Sequence, residues 1–435
     1  MLRVDGLGSF VDCAAEGTLQ SRRIAGLSIS VAHRGTLLHA DGYGYANLTN
    51  DKKATSSTRY SLGSMTKQFT AVAVLQLVER GLIALDASIG SVLPEEKPSR
   101  RKIPIRNLLS HTAGIRGDVE LAMLADSRGP NAMSRDAALS LFNDELFDAR
   151  PGELWRYSNF GYYLLGLLIE EIAGVSYSDY LKSEILTPAG LTSTTYGDES
   201  VPAELLAQGY AERQGEFASV DTPATSQTFS SGALFSNVVD LQMWRAAVED
   251  GRLIQNSTYR QMTTPTVLLN GEETNYGLGC FLGACGPYRE IGHDGTSGGF
   301  SAQAAYYPDA DLSIVVLMNC ERHEAERLEK RISRFMLEVP EPQIQGFHAS
   351  EADLSKYAGT YLHKGVSIPI AVEQSCLTLS MPNRRVLHLL YQGADTFIQD
   401  DDPSTRFEFI VPFVAAEGFV VSREGKTLAH ARRLE

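Results

Sequence analysis

Residues 61–81 read SLGSMTKQFTAVAVLQLVERG. Between Phe69 and Val78 only Thr70 and Gln76 interrupt an apolar run. Apolar side chains at nearly every helical angle predict a helix that is enclosed almost all round. Gly81, a residue type favoured just past helix ends, marks its stop. Yet the first turn carries Lys67, three residues after Ser64. An ammonium at the mouth of a buried helix is costly without a partner or a task.

The 435 residues suffice for two or three domains. At 43% hydrophobic and 21% charged, the chain can bury a large core. A net charge of −14 argues against a nucleic-acid partner. The five cysteines, Cys13, Cys280, Cys285, Cys320 and Cys376, are scattered and odd in number. No C-x-x-C or His/Cys cluster accompanies them, so reduced structural thiols are expected, with no metal and no cofactor. The opening MLRVDGLGSFVDCAAEG lacks an apolar run of signal-peptide length. Nor does any segment reach the roughly 18 apolar residues that span a bilayer. Absent a leader upstream, these features predict an unexported, cytoplasmic protein with no membrane partner.

Two strand-like runs, LSISVAHRG and TLLHADGYGYANL, precede the buried helix. A mostly helical middle follows, in IRNLLSHTAG, FGYYLLGLLIEEIAG and VVDLQMWRAAVEDG. Strands return in NYGLGCFL, FSAQAAYYP and LSIVVLMN, and ERHEAERLEKRISRFMLE forms a charged amphipathic helix. Strands at both ends of a helical middle predict an α+β domain over residues 1–338, its antiparallel sheet closed by distant segments. VPEPQIQGFHAS, 339–350, reads as a linker. About eight short strand-like runs then fill 351–435, spaced as in a small antiparallel barrel.

Ser-x-x-Lys places Ser64 and Lys67 on one helical face, with Cβ atoms roughly 5–6 Å apart. A serine hydroxyl attacks well only when a base takes its proton, and a lysine can serve only as the neutral amine. The helix start also supplies free N–H groups for developing negative charge. Ser99-Arg-Arg-Lys102 repeats the spacing in a Pro- and charge-rich loop without buried context. A second motif is Tyr157-Ser158-Asn159, in PGELWRYSNFGYY. Its phenol can act in proton transfer and its amide can pair with a substrate amide. Tyr45-Ala-Asn47 repeats it inside a strand-like run. The third is His293-Asp294-Gly295, where glycine lets a substrate backbone approach a strand edge. His33-Arg-Gly35 and His363-Lys-Gly365 repeat that spacing.

Taken in order, Ser-x-x-Lys, Tyr-x-Asn and His-x-Gly resemble the motifs of the penicillin-recognising serine hydrolases. The closest resemblance is to their class C β-lactamase branch, with the D-Ala-D-Ala carboxypeptidases and D-aminopeptidases. IRNLLSHTAGI, GALFSNVVDLQMW and GTSGGFSAQAAYYPDADLSIVVLMN extend the likeness over roughly residues 15–335. The tail after 350 resembles the lipocalin-like barrels attached to some members. The resemblance implies that Ser64 forms an acyl-enzyme while Lys67 and Tyr157 share the proton work. Asn159 would bind the acyl side-chain amide. The N–H groups of Ser64 and Thr296, which follows Gly295, would form the oxyanion hole.

His293 stands where many β-lactamases carry lysine, which resembles the peptidase branches. Asp294, grouped with Asn159, Gly295 and Thr296 as substrate-binding, adds negative charge where small or hydroxyl residues are common. The leading reading is a serine hydrolase of D-amino-acid peptides or amides, with a preference for a free amine. A carboxylesterase, a weak β-lactamase or D-Ala-D-Ala carboxypeptidase, and a penicillin-binding receptor are the alternatives. A homo-oligomer is left open. The barrel is expected to hold no second nucleophile–base set, with His363 and His388 structural.

Overall fold

The computed structural model describes residues 2–93, 102–117, 135–198, 201–213, 215–320, 324–342, 347, 349–363, 366–373, 376–380, 386–399, 402–412, 415–423 and 426–434. Ser99 of the second Ser-x-x-Lys and Gly365 of one His-x-Gly lie outside them. The chain forms two compact units, Met1–Leu282 with Pro287–Glu338, and Gly283–Gly286 with Val339–Glu435.

The first unit is built on a seven-stranded sheet. Its strands are β1 (Gly26–His33), β2 (Thr36–Asn47), β3 (Lys52–Lys53), β4 (Phe281–Cys285), β5 (Tyr288–Ser297), β6 (Phe300–Tyr307) and β7 (Leu312–Met318). Their spatial order is β3-β2-β1-β7-β6-β5-β4. β1 pairs antiparallel with β7, from Leu27↔Met318 to His33↔Leu312, so distant segments do close the sheet. Every residue of β7 is buried, as its unbroken apolar run implies for a strand covered on both faces. Helices α1 (Leu7–Arg22) and α5 (Glu324–Leu337) pack together on one side, where Phe10 stacks on Phe335 at 4.0 Å.

On the other side lie α2 (Thr66–Glu79), α3 (Asn159–Ala173) and α4 (Val238–Glu249). α2 is buried from Thr66 through Leu77, as its apolar run requires. Trp244 of α4 stacks on Phe69 at 3.7 Å and seals one flank.

Elements not foreseen include α1 and the hairpin Gly209–Arg213 with Glu216–Val220, while the third motif lies in strand β5. Of NYGLGCFL, only Phe281 and Leu282 are strand. The SHTAG part of the second helical run leaves the helix, which spans only Ile105–Leu109.

In the second unit, eight strands from Gly359–His363 to Lys426–Arg433 form a closed barrel. Its first and last strands meet at Tyr361↔Arg433 and Leu362↔Arg432, which removes the open edges. Its core is aromatic: Tyr357 meets Phe397 at 4.8 Å and Tyr361 meets Phe419 at 5.0 Å. Ser350 and Asp353 form a capping box that starts the short helix Glu351–Leu354. Among the described residues, no helix is long and apolar enough to cross a membrane.

Candidate active site

A 3-10 turn, Gly63–Met65, leads into α2 and carries Ser64. One turn on, the fully buried Lys67 places Nζ 3.1 Å from Ser64 Oγ. It also lies 2.8 Å from Asn159 Oδ1 and 2.9 Å from the Ser231 carbonyl. The last two oxygens can only accept. A neutral amine has two N–H groups and one lone pair. In the neutral form, donation to Asn159 and Ser231 would use both N–H groups and turn the lone pair toward Ser64 Oγ. This geometry suits a base that removes the serine proton.

Each partner is held by its own element. Asn159 is the first residue of α3, whose N-cap Ser158 accepts from the Gly161 N–H at 2.9 Å. Ser231 follows a kink at Phe229, whose φ of 36° and ψ of −131° are strained for a residue with a side chain. The kink presents two consecutive carbonyls, Ser230 to Thr70 Oγ1 at 2.6 Å and Ser231 to Lys67. The Tyr157 ring lies beside them, its centroid 4.8 Å from Lys67 Nζ.

β5 passes against the Ser64 turn. A Cβ on Gly295 would lie 2.0 Å from the Leu62 carbonyl and 3.0 Å from Ser64 N. A Cβ on Gly63 would meet Thr296 N at 3.0 Å. Glycine at both positions brings the Ser64 and Thr296 backbones together, as a two-donor oxyanion hole requires.

His293 is buried in β5. Its Nδ1 lies 2.6 Å from the Asp294 carbonyl and must carry the proton there. Its Nε2 lies 2.9 Å from Tyr276 Oη, a phenol that also pairs with Tyr162 and that burial holds well above its ordinary value.

Asp294 is placed otherwise than its neighbourhood in sequence suggests. It opposes Gln303, while Thr296 opposes Ser301, whose Oγ accepts from the Ala325 N–H of α5. His293 and Gly295 oppose Ala304 and Ala302, and Ala302 belongs to the core around α2. Strand alternation thus puts the Asp294 side chain on the α5 face, away from Ser64. The expected local pressure of Asp294 on the cleft is corrected to a field acting through the sheet. Thr296 alternates with Gly295 along the same strand.

The sequence reading missed His111. The ring centroid of this buried residue lies 4.2 Å from that of Tyr157 and 4.7 Å from that of Tyr276. Its Nδ1 accepts from the Ser158 N–H at 3.0 Å. SHTAG had drawn notice only as a flanking match. Tyr276 was read as a strand residue, and the Ser231 carbonyl leaves no mark in residue identity.

Of the repeated motifs, Tyr45 sits in β2 with Lys53 Nζ 3.6 Å from its ring centroid, and His363 Nδ1 pairs with the His430 carbonyl at 2.7 Å. In the barrel, Cys376 Sγ lies 3.7 Å from His388 Nδ1, diagonal to it because Thr378 opposes His388, and donates to the Glu373 carbonyl at 3.1 Å.

The sequence profile of the Beta-lactamase family matches residues 11–335, and the chain belongs to that family. It is a serine hydrolase of the β-lactamase fold. Penicillin-binding protein 4* of Bacillus subtilis (strain 168) is 26% identical over 421 residues, spanning 92% of this chain and 93% of that one. The octameric penicillin-binding protein homologue from Pyrococcus abyssi superposes with a TM-score of 0.72 at 24% identity, over 99% of this chain and 100% of that one. A D-stereospecific amidohydrolase from Streptomyces sp. gives 0.64 at 25%, over 75% of this chain and 98% of that one.

Proposed function

We propose that this protein hydrolyses small amides through an acyl-enzyme on Ser64, and that its preferred substrates are D-amino-acid amides or short D-peptides with a free amine. The observation that carries the mechanism is Lys67 Nζ, held by two obligate acceptors with Ser64 Oγ as its third neighbour. Lys67 takes the serine proton as Oγ attacks the carbonyl carbon. The Ser64 and Thr296 N–H groups receive the oxyanion, each worth about 3–4 kcal/mol. Tyr157 and Lys67 return the proton to the leaving amine, and water then cleaves the ester by the reverse transfers. Asn159, already fixed through Oδ1, offers its amide group to the acyl side chain.

The substrate class rests on charge. His293 stands where a lysine would supply a permanent cation for a substrate carboxylate, and the net −14 favours a cationic amine. The description of the Streptomyces relative as a D-stereospecific amidohydrolase agrees. The same apparatus cleaves esters and lactams, and the likeness to a penicillin-binding protein keeps that reading in view. By analogy with the octameric Pyrococcus homologue, we further propose self-association.

The test is a matched panel: D-Ala-p-nitroanilide, its N-acetyl derivative, the L-enantiomer, a p-nitrophenyl ester and nitrocefin. The free D-amine compound should give the highest kcat/KM among the amides. Faster turnover of the acetylated compound overturns amine recognition, and turnover of the ester alone makes the protein an esterase. Fluorophosphonate labelling at Ser64, located by mass spectrometry, separates a hydrolase from a non-acylating receptor.

A further inference from the structure

We infer that His111 is a positioning residue that holds Tyr157 and Asn159 in register through the Ser158 amide. The inference rests on the reading of Ser64, Lys67 and Tyr157 as catalytic. The segment from Gly152 to Ser158 has no regular structure of its own and is tied to residues 111–112 at three places. Gly152 N–H donates to the Thr112 carbonyl and Arg156 N–H to the His111 carbonyl, both at 2.8 Å. Those two anchors are backbone only and survive any side chain at 111. The third, Ser158 N–H to His111 Nδ1 at 3.0 Å, depends on the imidazole. It lies between Tyr157 and Asn159, the two residues whose placement around Lys67 matters most.

Two further features fit this role. His111 adopts φ 60°, a left-handed conformation that histidine, asparagine and aspartate tolerate better than most residues. This conformation carries a strain that persists where surrounding structure demands it. Its ring also abuts Tyr157, tilted by 35°, and Tyr276, tilted by 57°. Tyr276 Oη in turn lies 2.9 Å from His293 Nε2. One side chain therefore braces the loop of the second motif and the partner of the third.

The test compares His111→Asn, His111→Gln and His111→Ala, each alone and with Tyr157→Phe. Asn places its oxygen where Nδ1 sits and accepts the left-handed backbone, whereas Gln carries its amide one bond further out. Because a positioned acid–base group contributes about 10²–10⁴-fold, His111→Ala should lower kcat by ~10–100-fold with KM within about threefold. His111→Asn should recover to within about fivefold of the parent, and His111→Gln should not. In the Tyr157→Phe background, loss of His111 should cost less than about twofold more, since a residue acting through Tyr157 is not additive with it.

Hydrogen exchange of the 152–160 segment, read by mass spectrometry, should rise in the Ala and Gln variants and stay at the parental level in Asn. Additive losses, or Asn no better than Gln with unchanged exchange, overturn the inference. If the parent protein neither turns over the panel nor takes the fluorophosphonate, the hydrolase reading fails instead. The exchange comparison still decides whether His111 anchors Ser158.

Discussion

Ser64 with Lys67 and Cys376 with His388 each bring a hydroxyl or thiol near a side-chain nitrogen, and their surroundings differ. Ser64 Oγ is 3.1 Å from Lys67 Nζ, and Cys376 Sγ is 3.7 Å from His388 Nδ1. Lys67 is fully buried, oriented by Asn159 and Ser231, and placed where the Ser64 and Thr296 backbones approach closely. His388 is exposed on a barrel strand and Cys376 is half-buried on the next. Proximity of a nucleophile to a base is thus the least demanding part of a site. Full burial of the amine, two carbonyl oxygens that fix its direction and glycine-permitted close approach of a neighbouring strand set the first pair apart.

The strongest way to break this comparison is to remove each nucleophile. Ser64→Ala should abolish turnover of the panel while circular dichroism is unchanged, since the hydroxyl contributes little packing. Equal turnover would remove Ser64 from the mechanism. Next in size is Gly295→Ala. Its new methyl group must displace the Leu62 carbonyl, so it should lower kcat by about 10²–10³-fold, the cost of losing one oxyanion donor. A KM effect alone would place Gly295 in binding only. Tyr157→Phe keeps the ring and loses the oxygen, and should lower kcat by at least ~100-fold, whereas a change below about threefold would leave Lys67 as the sole base.

A smaller effect comes from a second buried titratable group, Glu329. Burial pushes the Glu329 carboxyl up to about 8, against the pull of Lys330, with Glu290 and Glu326 adding to the rise and the Tyr307 hydroxyl donating to it. The folded state then holds a proton that the unfolded chain releases near 4.5. Stability from this group is full below 4.5 and falls as pH rises to about 8. Glu329→Gln should flatten Tm against pH over that window, and an unchanged slope would place the linkage elsewhere. Weakest of all, Cys376→Ser should change kcat by less than about twofold, well below the range of a positioned acid–base group. A larger loss would give the barrel a share in the chemistry.

Some of this was legible locally. The enclosed helix, the Ser64–Lys67 spacing and the eight barrel strands all follow from patterns spanning a few residues. α1 was legible too, because Leu7, Val11, Ala14 and Ala15 recur at helical intervals, but Gly8 and Gly17 obscured the pattern. What the sequence could not carry is of a different kind. Asn159 reaches Lys67 from 92 positions away and the Ser231 carbonyl from 164. A backbone oxygen has no residue signature, and only the strained turn at Phe229 aims it.

The face taken by Asp294 depended on parity within a strand whose covered side was unknown until the sheet was assembled. His111 had a recognisable neighbourhood, yet its Nδ1 gained meaning only beside the Ser158 amide at the start of α3. Sequence by itself determined periodicity and chemistry along the chain. Tertiary structure decided which lone pairs, N–H groups and faces meet, because those depend on distances through space that no local repeat encodes.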